Sequence, residues 1–151
     1  MLANLSRFSD TIASLRRIQQ LLELLLDEAL DLLSEPSDDE NDRWLGIVVD
    51  KVLRNLREQF EIEEQGGYMA DVLEQYPEWH PQALHLQQEH ELLVTQLRQI
   101  SMRMRLERCT GSLSPECRRQ LEDWIKWYRQ HQRRETDLIQ EAFVLEVGQG
   151  E

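Results

Sequence analysis

The sequence predicts an all-α fold, an antiparallel up-down four-helix bundle, on three observations. Glycine and proline number only 6 and 4 in 151 residues, too few for the many turns of a sandwich or barrel. Leu, Glu, Gln and Arg, all good helix formers, dominate the rest. Apolar residues recur three and four apart in four segments of about 25 to 30 residues, each long enough to be a bundle helix.

The first helix is expected from about Ser6 to Ser34, with Phe8, Ile12, Leu15, Ile18, Leu22, Leu25, Ala29 and Leu32 or Leu33 on one stripe, and it stops at Glu35-Pro36-Ser37. Asp38 or Asp39 then offers a side-chain oxygen to the free amides that open a second helix. That helix carries Leu45, Val48, Val49, Val52, Leu56 and Phe60 on its stripe and ends at Gly66-Gly67. Tyr68 to Pro81 reads as an irregular connection, with a turn of helix over Ala70 to Gln75 and punctuation at Pro77 and Pro81. The third helix runs from about Gln82 to Arg108 along Leu86, Leu93, Leu97, Ile100 and Met104. After a polar loop, Ser114 caps the fourth helix, and Pro115 suits its first position because an amide proton there has no partner in the helix. The fourth stripe is Leu121, Trp124, Ile125, Tyr128, Leu138 and Ala142. Short connections make successive helices antiparallel, and with no internal repeat residues 1–151 read as a single domain.

The formal net charge of -12 makes nucleic acid and anionic membrane surfaces poor partners, because the average surface potential repels phosphate. No apolar run approaches the length of a membrane span. Cys109 and Cys117 match neither a metal knuckle nor a disulfide framework, and as reduced thiols they fit a cytoplasmic protein. The acidic runs Glu35 to Asp42 and Glu61 to Glu64 read as solvated or helix-start charges. Trp124 is a core residue, with Trp127 beside it. Trp44 and Trp79 lie near helix ends, where they cap the bundle or suit a homodimer or other protein contact.

Polar residues interrupt the inward stripes. On helix two the progression reaches Gln59 and Glu63; on helix three it passes through His90; on helix four it passes through His131 and Glu135. Ionised carboxylates inside a bundle are costly unless paired, hydrogen-bonded or bound to a cation. A divalent metal such as iron or manganese accepts both carboxylate oxygen and imidazole nitrogen, and the four-residue spacing of His131 and Glu135 puts both on one face. The bland alternative is a set of satisfied, partly buried polar residues, with Glu63 at a solvated terminus. His80 and His85 fall off the stripe and read as surface residues.

The runs Gln59-Phe60-Glu61-Ile62-Glu63-Glu64-Gln65-Gly66-Gly67-Tyr68, Glu89-His90-Glu91-Leu92-Leu93 and His131-Gln132-Arg133-Arg134-Glu135 resemble those of the hemerythrin-like (HHE cation-binding) proteins. That resemblance implies a bundle holding iron. Glu63 and Glu135 would stand at the two bridging-carboxylate positions, and His90 and His131 at two histidine positions of one iron. The chain departs from the pattern at Gln59, where the family has a histidine, at Leu86, and in a first helix that contains no histidine. Both Gln59 and the first helix would have served the second iron.

The expectation is therefore at most one tightly bound metal, at Glu63, His90, His131 and Glu135, with the Gln59 amide oxygen as a weaker ligand and no reversible oxygen carriage. A non-catalytic metal-handling or oxygen- and redox-responsive role is favoured. The alternative is a metal-free four-helix interaction protein derived from that fold. An oxidase or peroxidase is the least favoured, since no cysteine cluster offers an adjacent electron donor.

Overall fold

The computed structural model describes residues 2–65, 73–74 and 76–149, with side chains described from Asp10 to Glu64, for Leu73 and Glu74, from Tyr76 to Leu138, and for Gln140 and Glu141. Four long helices account for nearly all of it: α1 Leu2–Ser34, α2 Asp39–Gln65, α3 His80–Thr110 and α4 Pro115–Gln149. Each packs on its chain neighbour, and α4 closes the ring on α1. Contacts at two levels make the α2–α3, α3–α4 and α4–α1 pairs antiparallel: Glu64 meets His90, Glu89 meets His131 and Leu33 meets Arg118, and a second contact lies further along each pair. Asp50 on α2 meets Ser101 on α3, Trp124 on α4 meets Leu93, and Arg129 on α4 meets Glu23 and Asp27 on α1. The protein is an all-α four-helix bundle.

The apolar stripes meet along the axis in a core that includes Leu22, Leu26, Leu45, Leu56, Leu93, Leu97, Met104, Ile125 and Tyr128. On α1 the expected Leu15, Leu22 and Ala29 are buried, but at the turn between Leu22 and Ala29 it is Leu26 that is buried, with Leu25 only partly covered. The helix ends follow the expected capping chemistry. Asp38 Oδ1 accepts the Asn41 amide at 2.7 Å, and Ser114 Oγ accepts the Cys117 amide at 3.1 Å, each satisfying an amide with no partner within the helix. A single 3-10 turn, Pro77–Trp79, leads into α3, which starts at His80 rather than after Pro81. Proline is tolerated there because the first helical turn needs no amide proton from it. Of the helical turn expected over Ala70 to Gln75, Leu73 and Glu74 are helical and the others lie outside the described residues, as do Gly66 and Gly67.

Gly111 ends α3 at φ 155°, ψ -139°, a conformation that side chains with a Cβ rarely adopt. No atom lies within 4 Å of the position a Cβ would take, so a substitution there costs backbone strain alone. Gly111→Ala is expected to lower stability by about 1–3 kcal/mol. The check is a lower urea midpoint at unchanged slope; an unchanged midpoint would show that the loop relaxes freely.

A polar clasp ties the three segments at this end. Arg118 on α4 donates to the carbonyls of Leu32, Leu33 and Glu35, at 3.1, 3.1 and 2.6 Å, where α1 runs out of its own donors. The same guanidinium reaches Asn41 and the buried Asp42, which also accepts from Ser37 Oγ and the Leu113 amide. Within the acidic run Glu35 to Asp42, Asp42 is thus a helix-start charge in the first turn of α2, and a buried one rather than solvated. Cys109 is exposed and Cys117 buried, both as free thiols, and burial pushes the Cys117 thiol up to about 11. Trp124 is in the core, Trp44 is exposed, and Trp79 stacks on Tyr76. No helix among the described residues is long and apolar enough to cross a membrane.

Candidate metal centre

The opposite half of the bundle holds all five residues singled out on the inward stripes. Gln59, Glu63, His90, His131 and Glu135 are buried, with exposures of 0, 2, 5, 0 and 1 %. Three helices deliver them because the core period of 3.6 residues continues past the last apolar layer into polar side chains. His80 and His85 stay at the surface.

Glu135 Oε2 is the hub. It lies 3.1 Å from His90 Nε2 and 3.0 Å from His131 Nε2, and Glu63 Oε2 lies 3.2 Å from the same His90 nitrogen. Ligand atoms of His90, His131 and Glu135 all fall within 4.8 Å of one another; Glu63, expected as a fourth ligand, lies outside this group and touches it at His90 Nε2. Phe60 stacks on His90 with ring centroids 3.8 Å apart and planes 6° from parallel, which fixes the imidazole plane. The two imidazoles meet edge to face.

The outer ring nitrogens are also engaged. His131 Nδ1 faces Glu89 Oε1 at 3.2 Å, and His90 Nδ1 faces Glu64 Oε1 at 3.4 Å. Both nitrogens of each ring thus face carboxylates, which can only accept; with the ring proton on Nδ1, toward Glu89 or Glu64, a neutral imidazole turns an unprotonated Nε2 toward the hub. Two nitrogen lone pairs and two carboxylate oxygens would converge with no proton between them. Such an arrangement needs either additional protons or a cation.

Electrostatics divide the two carboxylates. Burial, followed by the charge and hydrogen bond of Glu135, pushes the Glu63 carboxyl well above the usual range. Burial also opposes ionisation of Glu135, but its close contacts with His131, His90 and Glu63 outweigh it and hold that carboxyl well below the usual range. Glu63 therefore keeps the proton that the pair shares. Its Oε2 is fully buried and makes no hydrogen bond, which is costly for a carboxyl oxygen.

Gln59 plays a different part from the one expected. Its amide nitrogen donates to Glu63 Oε1 and Gln132 Oε1, both at 2.9 Å, and its oxygen accepts from the Tyr128 hydroxyl at 2.8 Å. The oxygen expected as a weak ligand is thus turned to Tyr128, and the residue meets the site as a donor that orients Glu63. Burial, with the nearby Glu63 and Glu135, raises the Tyr128 hydroxyl well above its ordinary value, so it stays protonated and able to donate.

The chain matches no protein-family model, no curated protein and no solved structure. The chemistry of the centre therefore rests on its own residues. Ligand atoms on a metal with bonds of about 2.0–2.2 Å lie roughly 3 Å apart, the spacing found around Glu135 Oε2. The donor set of His90, His131 and Glu135, with Glu63 beside it, suits a borderline divalent cation, and the buried Glu63 Oε2, without a hydrogen-bond partner, has His90 Nε2 next to it. The residues fit such an ion.

Reading the sequence by stripes missed the supporting ring of Glu64, Glu89, Tyr128, Gln132 and Arg134. Glu89 carried a signal, since it lies three residues after Leu86 and four before Leu93 on the α3 core stripe. Glu64 lay in a run read as solvated, and Tyr128 was read as packing alone. Two grooves approach the centre: one of about 390 Å³ between α2 and α3 is walled by Phe60, Glu64 and His90, and one of about 600 Å³ between α1 and α4 by Tyr128 and Gln132.

Proposed function

We propose that this protein is a hemerythrin-like metal-binding bundle that holds one divalent cation, iron by preference, between Glu63, His90, His131 and Glu135. Its role is metal handling or an oxygen- and redox-responsive function rather than catalysis. The observation that carries the reading is the convergence of two buried imidazole Nε2 atoms on Glu135 Oε2 while each Nδ1 faces a carboxylate. Histidines that bind metals are commonly oriented in this way, with the outer nitrogen donating to a carboxylate.

A bound cation supplies the positive charge that lets Glu63 ionise beside Glu135. The chain supplies the rest: Gln59 orients Glu63, Phe60 fixes the His90 plane, and Glu89 and Glu64 hold the ring protons outward. One ion rather than two is supported by α1, which has no histidine, and by Gln59, whose donor end faces Glu63.

The test is metal content per chain after expression without a chelating tag and anaerobic loading with ferrous iron. One equivalent is the expected result. Two equivalents would overturn the single-ion reading. No stoichiometric metal would favour the metal-free interaction protein, its buried cluster held together by additional protons.

A further inference from the structure

The two imidazoles differ in how they are held. Glu89 is buried on α3, with only 8 % of its side chain exposed, and both of its oxygens are used. Oε1 lies 3.2 Å from His131 Nδ1, and Oε2 accepts from the Arg134 guanidinium at 2.8 Å. Exposed His85 stands behind it, 3.8 Å from Oε1. His131, Arg134 and Glu135 share one helix, so the clasp runs from α4 through Glu89 of α3 and back to α4. Glu64, the corresponding partner of His90, is 38 % exposed and 3.4 Å away, and among the described residues no guanidinium reaches it.

We infer that Glu89, clamped by Arg134, is a positioning residue that fixes the tautomer and aim of His131 and makes it the anchor ligand, whereas Glu64 contributes little to His90. The inference rests on the metal-binding reading above. An ionised, doubly bonded acceptor behind an imidazole keeps the ring proton on Nδ1 and makes Nε2 a better donor to a metal, and such outer partners typically change affinity by roughly 10–100-fold. Arg134 matters through Glu89: it occupies the second oxygen and so prevents the carboxylate from rotating away. The geometry also explains a buried carboxylate on the α3 stripe that the ligand set itself does not use.

Zinc affinity, measured by competition with a chromophoric chelator, and exchange of the His131 ring proton, followed by nitrogen-15 NMR with and without zinc, test this together. Glu89→Gln keeps the shape but replaces the anion by a neutral amide whose N–H₂ faces Arg134. It is expected to bind zinc roughly 10–100-fold more weakly, with an unchanged helical spectrum and faster exchange of the Nδ1 proton. Glu64→Gln is expected to stay within about threefold of the parent, since its partner is the looser one. Zinc binding by Glu89→Gln within twofold of the parent, or an equal loss in Glu64→Gln, would overturn the assignment.

Arg134, which is 47 % exposed, supplies a second variant should Glu89→Gln fail to fold. Arg134→Met is expected to weaken binding severalfold and to speed the same proton, and no change in either refutes the clamp. Parent protein that binds no zinc defeats the metal reading alone. In that case the metal-free spectra decide: a slowly exchanging Nδ1 proton on His131 that is lost in the variant upholds the role of Glu89, and identical spectra overturn it.

Discussion

Ferrous iron or zinc at about 100 times its dissociation constant is expected to raise the midpoint of thermal unfolding by roughly 5–10 °C, and His131→Ala is expected to abolish the rise. A ligand bound only by the folded state at that excess stabilises it by about 2.7 kcal/mol. His131 is fully buried against Glu135, so its loss removes an anchor donor and leaves two carboxyls that no longer converge with two imidazoles. The variant is compared with itself, with and without metal, so that lower intrinsic stability does not obscure the result. An undiminished rise in His131→Ala would remove this residue from the site.

The size of the rise depends on pH in a direction set by Glu63. Its carboxyl is raised above the ordinary value of 4.5, so without metal its contribution to stability is complete below 4.5 and is lost as pH climbs through the raised value. Metal binding displaces that proton, and the stabilisation it brings grows over the same interval. Glu135 has the opposite sign: its contribution is present above 4.5 and fails only in strong acid. The metal-induced rise should therefore be smaller at about pH 5 than at about pH 8. A rise independent of pH would mean that Glu63 is already ionised or takes no part.

The second large effect is at the other end. Arg118→Met is expected to cost about 3 kcal/mol, the lower end of the range for breaking a buried pair, because Asp42 keeps Ser37 Oγ and the Leu113 amide after losing the guanidinium. The carbonyls of Leu33 and Glu35 lose their side-chain donor at the same time, whereas that of Leu32 keeps the Asn41 side-chain amide. Urea unfolding measures the loss, and Arg118→Met with Asp42→Asn should recover part of it by removing the stranded charge. A loss below about 1 kcal/mol would place this pair with ordinary surface contacts.

The fold and the inner members of the centre were legible because both follow one rule, the 3.6-residue period. Glu63, His90, His131 and Glu135 lie on the same turns as Phe60, Leu93, Tyr128 and Leu138, so burying the apolar residues carries the polar ones inward. The outer members were not legible for a geometric reason. Glu64 flanks its stripe, and a small rotation of a helix about its axis decides whether such a residue faces a neighbour or water; Glu89 lies on the α3 stripe, but its partners His131 and Arg134 stand on another helix. Leu26 replacing Leu25 at the α1 core is the same ambiguity. The orientation of Gln59 depended on Tyr128 and Gln132, 69 and 73 positions away in the chain, which no local pattern connects. Asp42 was hidden among acidic neighbours because its burial comes from Arg118 and from the loop before α4.

The Trp124 indole donates to the Leu93 carbonyl at 2.9 Å, within the interface of α3 and α4. On α3 this contact lies four residues from Glu89, about 6 Å along the axis; on α4 it lies seven from His131, about 10 Å. Helices packed by apolar ridges alone have neighbouring registers one turn apart, separated by about 5.4 Å. A slip of that size would part His131 from Glu89 and His90 from Glu135 together. A backbone carbonyl recurs at every turn, so the indole alone would accept either register; the paired side chains Glu89–His131 and Asp50–Ser101 do not recur, and they make the polar centre a ruler for the helices that build it.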